Sequence, residues 1–292
     1  MMEFDYKTAF GRNIGWVTPD EQAVLRRSRV AIGGLGGVGG VHATTFARLG
    51  VAQFTIADFD TFSLANINRQ AGAFMSTLGK PKADVIAAMV RDINPEADVR
   101  VLAEGVNAQN IDAFLDGVDV YVDGIDYFAI GARRLIFHAA GERGIPAVTA
   151  APLGMGAAVL CFLPGGMSFE EYFCLEGQTE FEQLLRFLLG LSPSMLQRSY
   201  LVYPSAVNFA AKQGPSMPMA CEICAGIAGT QVLKILLKRG DVLAAPRGMQ
   251  FDAYRNRVSH TWRPGGNRNP LQRIGLWIAR RQLAAMGDGK GA

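Results

Sequence analysis

The sequence predicts an α/β fold, a doubly wound and mostly parallel sheet with an additional C-terminal region completing it. Two observations carry that prediction. Between residues 18 and 150, short apolar runs of strand length alternate with segments of helical periodicity, an order that lays helices on both faces of a parallel sheet through right-handed crossovers. The first apolar run leads into Gly33-Gly34-Leu35-Gly36-Gly37-Val38-Gly39. Such a glycine-rich turn opening a helix lets backbone N–H groups come within hydrogen-bonding distance of a phosphate. Together they describe a Rossmann-like, nucleotide-binding core.

The elements follow in order. Residues 18–27 form a helix in which Thr18 caps, Pro19 takes the first helical position and Glu21 completes a capping-box spacing. A strand over 30–32, the glycine turn and a helix over 38–49, closed by Gly50, come next. A strand over 53–57 ends in Asp58-Phe59-Asp60, and a helix over 81–93 is stopped by Asn94-Pro95. A strand over 99–104 leads to a helix over 110–115, and a strand over 118–122 ends in Asp123-Gly124-Ile125-Asp126. A helix over 129–143 precedes a strand over 147–149. After Leu153 the pattern changes: a strand over 157–163 turns at Pro164-Gly165-Gly166, and 169–219 is irregular with a helix over 181–191. A strong helix over 225–238 and a strand over 249–254 return to regular structure. The stretch 271–283 mixes Leu, Ile and Trp277 with Arg273, Arg280 and Arg281, which reads as a helix docked on its own protein or a partner subunit, or as a basic membrane-surface helix. Residue 287 onward is expected to fray.

Bulk properties narrow the class. With 49% hydrophobic and 19% charged residues in 292, the chain has the makeup of a folded soluble protein rather than a disordered one. A formal charge of +3 is too small to imply nucleic acid binding by composition. The start, Met1-Met2-Glu3-Phe4-Asp5-Tyr6, has no basic region followed by an apolar core, so no signal peptide is expected. The uncharged stretch 145–163 contains Pro146, Pro152, Gly154 and Gly156, and predicts two buried strands around a turn rather than a membrane span. Four cysteines make no disulfide framework, and a cytoplasmic location is expected.

Gly34, Gly36, Gly37 and Gly39 have the spacing G-x-G-G-x-G, which also satisfies the dinucleotide fingerprint G-x-G-x-x-G. Asp58, at the end of the second strand, stands where a carboxylate accepts ribose hydroxyls. Both features suit NAD and ATP alike. The discrimination lies downstream, in Asp58-Phe-Asp60-Thr-Phe-Ser-Leu-Ala-Asn66-Ile-Asn-Arg69-Gln70, then Gly79-Lys80-Pro81-Lys82, then Asp123-Gly-Ile-Asp126. This order resembles the ThiF/MoeB/HesA family of ubiquitin-activating-type adenylyltransferases over about residues 12–163.

In that family a carboxylate attacks the α-phosphorus of ATP, giving an acyl-adenylate and pyrophosphate. The resemblance implies that Arg69 and Lys82 contact the triphosphate, that Asn66 helps fix it, that Asp126 holds Mg²⁺ and that Asp58 binds the ribose. Phe10-Gly11-Arg12-Asn13-Ile14 looks like the family's N-terminal segment, with Asn13 where glutamine is usual. In dimeric relatives that arginine reaches the partner's active site, so Arg12 and a two-fold homodimer carry over. The whole chain, 1–292, is then one adenylating domain: a nucleotide-binding core over 18–150, and an acceptor-binding segment, closing helix and tail over 151–292. The implied acceptor is the C-terminal glycine of a small ubiquitin-like or sulfur-carrier protein. A peptide- or tRNA-modifying relative would use the same ATP machinery; an NAD-dependent oxidoreductase or a non-catalytic module would share only the pocket.

Many relatives bind zinc through two Cys-x-x-Cys pairs. Here Glu171 stands three before Cys174, and the one such pair, Cys221-Glu-Ile-Cys224, precedes the predicted helix over 225–238, so no structural zinc is expected. Cys174 and Cys221, the latter near a helix N-terminus, are candidates for an acyl-carrying thiol. Cys161 and Cys224 read as small buried hydrophobes, and His42, His138 and His260 lack ligand spacing.

Overall fold

In the computed structural model, which describes residues 3–208 and 211–288, eight strands form one sheet. They are β1 (Arg29–Gly33), β2 (Gln53–Ala57), β3 (Asp98–Leu102), β4 (Val120–Asp123), β5 (Ala147–Leu153), β6 (Gly156–Phe162), β7 (Arg247–Asp252) and β8 (Arg257–Trp262). Their spatial order is β3-β2-β1-β4-β5-β6-β7-β8. The first five are parallel, and β6, β7 and β8 are added antiparallel. Every residue of β1, β4 and β6 is buried, which is why those strands read as continuous apolar runs without alternation.

Two short N-terminal helices, α1 (Tyr6–Phe10) and α2 (Pro19–Arg27), precede the sheet. The predicted capping box of α2 is present: Glu21 N–H donates to Thr18 Oγ1 at 3.1 Å and Thr18 N–H to a Glu21 carboxylate oxygen at 2.8 Å. Then α3 (Gly39–Arg48) joins β1 to β2, α4 (Lys82–Ile93) joins β2 to β3, α5 (Ile111–Leu115) returns the chain to β4, and α6 (Ile130–Glu142) leads to β5. Beyond β6 come α7 (Phe169–Phe173), α8 (Glu180–Leu191), α9 (Pro218–Leu237) and, after β8, α10 (Pro270–Asp288). One core layer joins Val30, Ile32, Phe54 and Ile56 to α3, α4 and α9. The other joins Tyr121, Phe137 and Phe162 to α7 and α8 through Phe169, Phe173 and Phe187. Because β2 and β3 lie on one side of β1 and β4 on the other, the winding reverses between β1 and β4, where this fold class opens a ligand crevice.

Several boundaries differ from expectation. The strand over 147–149 extends to Leu153 and pairs with β6 around Gly154, whose φ is +62°. The helix over 225–238 starts seven residues earlier, at Pro218, the proline taking the first turn as it readily does; Cys221 and Cys224 therefore lie inside the helix, not before it. Within the irregular segment, α7 is capped by Ser168 and Glu171, and β8 had not been anticipated. The C-terminal helix docks on α8, Leu276 packing on Leu185 and Leu189, while Leu271, Ile274 and Trp277 are exposed. It includes Gly287 and Asp288; the rest of the expected frayed end lies outside the described residues. Among the described residues, α9 is the one helix long and apolar enough to cross a membrane, and its buried side chains join the core with α3 and the sheet.

Candidate nucleotide site

The glycine turn leaves β1 beside the carboxyl end of β4. Some of its glycines answer to packing. Gly34 has φ +80°, and a Cβ there would stand 2.4 Å from the carbonyl oxygen of Gly124; a Cβ on Gly39 would stand 1.8 Å from the carbonyl oxygen of Gly34. Backbone thus packs on backbone, seating the start of α3 against the loop after β4. Gly36 and Gly37 face side chains instead. A Cβ on Gly36 would meet only Gln70 Nε2, at 3.7 Å, and one on Gly37 would meet Cys221 Sγ at 3.2 Å and the Arg69 side chain at 3.7 Å. The Gln70 Oε1 is buried without a hydrogen-bond partner among the described residues. A stretch of bare backbone flanked by a guanidinium and by the Gln70 Nε2 donor is a setting that a phosphate fits.

The loop after β2 supplies the other side. Asp58 accepts from Leu35 N–H at 2.6 Å and from Asp60 N–H at 2.8 Å, so it fixes the glycine turn as well as ending β2. Asn66 Oδ1 accepts from the Ser63 N–H at 2.9 Å and closes the 3-10 turn Leu64–Asn66. One turn on, Arg69 donates to the Ala65 carbonyl at 3.0 Å and to Asn68 Oδ1 at 2.9 Å, and Asn68 reaches the Ser216 carbonyl at 3.1 Å. Lys82, the first residue of α4, is buried and pairs with Asp60 at 2.9 Å. The motif marked Asp60 only as part of a string; its partnership with Lys82 was not read from it.

Across the crevice, Asp126 is exposed two residues past Gly124 and accepts from Phe128 N–H at 2.9 Å. Gly34, Gly36, Gly37, Asp58, Asn66, Arg69 and Asp126 thus lie on the turn and loops that follow β1, β2 and β4, and Gly39 and Lys82 are the first residues of the helices that the turn and the β2 loop lead into. Arg12 lies on none of these. It is exposed on the 3-10 turn Gly11–Asn13, and Asn13 bonds the Leu49 carbonyl at the far end of α3.

Among the described residues no three His, Cys, Asp or Glu side chains stand together as a metal cage. A single exposed carboxylate, on the loop whose Gly124 packs on Gly34, nevertheless suits Mg²⁺, which takes one or two carboxylates and completes its shell with phosphates and water. All four cysteines are free. Cys221 lies in the first turns of α9, where thiolate was expected to be favoured, but burial outweighs Ser216 and Arg69 and pushes its thiol up. Burial raises Cys161 to about 12 and Cys224 well above its usual value. Cys174, at a left-handed position with φ 54°, donates to the Glu171 carbonyl.

Comparison with known proteins points the same way. The ThiF family profile matches residues 10–273. A tRNA threonylcarbamoyladenosine dehydratase from Haemophilus influenzae is 36% identical over 112 residues, 38% of this chain and 43% of that protein. The molybdopterin-synthase adenylyltransferase of Escherichia coli is 42% identical over 76 residues, 26% of this chain and 30% of that protein. Each match spans less than half of the relative's own length. Among solved structures, PaaA superposes with a TM-score of 0.64 at 20% identity, covering 89% of this chain and 74% of that one, a likeness of fold.

Proposed function

The chain belongs to the ThiF family, and from that membership we propose that it is an ATP-dependent adenylyltransferase that activates a carboxylate as its acyl-adenylate. The observation that carries this reading is the gathering of Arg69, Asp58 and the Lys82–Asp60 pair around a glycine turn whose Gly36 is free of packing constraint. A carboxylate is ionised at neutral pH and needs no general base. The work left to the protein is to hold two anions together and offset the charge gathering on the α-phosphate and the departing pyrophosphate. Arg69 supplies a planar fork for phosphate oxygens, Lys82 a point charge, Asn66 a neutral donor and Asp58 an acceptor for the ribose. Asp126 would hold Mg²⁺, whose charge would offset that of the phosphates. Arg12, exposed on a turn fastened to the far end of α3, would serve a second copy in a two-fold dimer.

The acceptor we favour is the C-terminal glycine of a small ubiquitin-like or sulfur-carrier protein in the cytoplasm, as the name of the molybdopterin-synthase relative suggests. A second reading, a carboxylate borne on tRNA, is favoured by the dehydratase relative and by the distribution of charge. Residues 247–281 hold eight arginines against a single acid, Asp252, while residues 1–246 carry more acidic than basic side chains. The net charge of +3 hides a basic C-terminal region.

ATP–pyrophosphate exchange tests the reading. Exchange that depends on Mg²⁺ and on a carrier ending in Gly-Gly is the expected result, with protection from proteolysis by ATP–Mg²⁺ and not by NAD. Exchange stimulated by tRNA alone would move the assignment to the second reading. Protection by NAD without exchange would overturn both.

A further inference from the structure

The loop between β4 and α6 carries Asp126, and a buried cation absent from the sequence-derived site residues shapes it. Arg133 on α6 and Asp123 at the end of β4 have side chains 3% and 2% exposed and pair at 2.8 Å. Asp123 is fully engaged: Thr149 Oγ1 donates to the same oxygen at 2.8 Å, and the Ile125 N–H and the Tyr121 hydroxyl reach the other at 3.2 and 3.4 Å. The rest of the guanidinium is spent on the loop. Nη2 donates to the Ile125 carbonyl and Nη1 to the Tyr127 carbonyl, on either side of Asp126. Its Cζ lies 4.5 Å from the centre of the Phe187 ring, and the Tyr127 hydroxyl donates to the Leu184 carbonyl at 2.6 Å, so α8 backs the assembly.

A planar fork with fixed donor directions serves one carboxylate and two carbonyls together; an ammonium on a flexible stem does not. Stability alone does not call for such a pair, because well-packed apolar residues do as well. What the arrangement supplies is a fixed backbone on both sides of an exposed carboxylate. We propose that Arg133 is a positioning residue that holds the loop so that Asp126 meets the divalent ion of the metal–nucleotide, with Phe187 bracing it. The inference rests on the metal-holding role proposed for Asp126.

The test is a titration of Mn²⁺, followed by its electron paramagnetic resonance signal, on full-length protein saturated with a non-hydrolysable ATP analogue. Melting temperatures are recorded alongside. Arg133→Lys is expected to fold and to weaken Mn²⁺ binding about tenfold, as loss of a group orienting a metal ligand does. Phe187→Leu is expected to weaken it about threefold. Metal-free nucleotide affinity should be unchanged in both. A role limited to stability would lower the melting temperature and leave Mn²⁺ affinity as in the wild type, which overturns the inference. If Arg133→Lys does not fold, Phe187→Leu alone decides by the same criterion. Asp126→Asn separates the two layers. Should it lose Mn²⁺ while Arg133→Lys keeps it, only the positioning role falls; should it bind Mn²⁺ like the wild type, the metal role of Asp126 falls and takes this inference with it.

Discussion

Lys82, proposed above to contact the triphosphate, is held in place by an expendable partner. Its ammonium is buried and paired, but Asp60 keeps 54% of its side chain in water, so removing the cation leaves a carboxylate that solvent can hydrate. Lys82→Ala should therefore cost only about 1–2 kcal/mol of stability, mostly from the lost packing of its stem. Adenylate formation should fall about 10²–10³-fold for the loss of one charge-stabilising group. Arg69→Ala should lose as much activity with no loss of stability, since its partners are a surface carbonyl and Asn68. Exchange rates and melting curves on the same samples check both, and near-wild-type exchange would remove either residue from the phosphate site. His42 makes a different kind of claim. It is fully buried on α3, neither ring nitrogen has a partner among the described residues, and burial lowers its pKa from 6.5 to about 4. The folded imidazole stays neutral while the unfolded chain takes up a proton below about pH 6.5, so the unfolded state binds more protons in that window. Stability is flat above it and falls as pH drops from about 6.5 towards 4, by about 3 kcal/mol in all. His42→Leu should abolish that share of the acid loss, read from denaturant melts between pH 7.5 and 4.5; parallel curves for the two proteins would refute the assignment.

At the scale of the element, the glycine turn separates folding from function. Gly39→Ala forces a Cβ into the Gly34 carbonyl and should lower the melting temperature sharply. Gly36→Ala meets nothing closer than 3.7 Å, so it should fold normally and yet weaken ATP binding about tenfold, if a phosphate oxygen occupies the space a methyl would take. Calorimetric titration with ATP decides, and unchanged affinity would mean the phosphates lie elsewhere. The contrast also explains what was legible. The α2 capping box and the glycine turn were readable because their information lies within four to seven consecutive residues. The helix α7 carries a capping box too, in Ser168 and Glu171, but five residues give no periodicity to reveal it. The start of α9 was hidden because Met217-Pro218-Met219-Ala220 adds to a helix that is apolar on all sides, and such a helix shows no stripe. In β8, Arg257, Val258, His260 and Trp262 are exposed at the sheet edge, so no strand alternation stands out. In the site, Asn66, Arg69, Lys82 and Asp126 were named through the family resemblance, and the strand order explains why their loops adjoin the glycine turn. Asp60 beneath Lys82, and Arg133 beneath the Asp126 loop, are partnerships made only by tertiary proximity.

The whole molecule raises the question of what Arg12 is for. Asn13 fastens its turn to the Leu49 carbonyl, at the carboxyl end of α3, and the glycine turn opens the amino end of the same helix. Ten residues of α-helix separate the two by about 15 Å, beyond the reach of an arginine side chain. If Arg12 meets a triphosphate, it meets that of another copy. Two-fold symmetry then makes complementation quantitative. An Arg12→Ala chain has an intact cradle and donates nothing, whereas a Lys82→Ala chain donates an intact Arg12 and has a damaged cradle. Each homodimer should be inactive. When the two are co-expressed in equal amounts, about half the dimers are mixed and each mixed dimer holds one site with both parts intact, so about a quarter of the wild-type exchange activity should return. A mixture as inactive as its components would show that no arginine is donated between copies, and full activity of Arg12→Ala alone would show that the site does not use it.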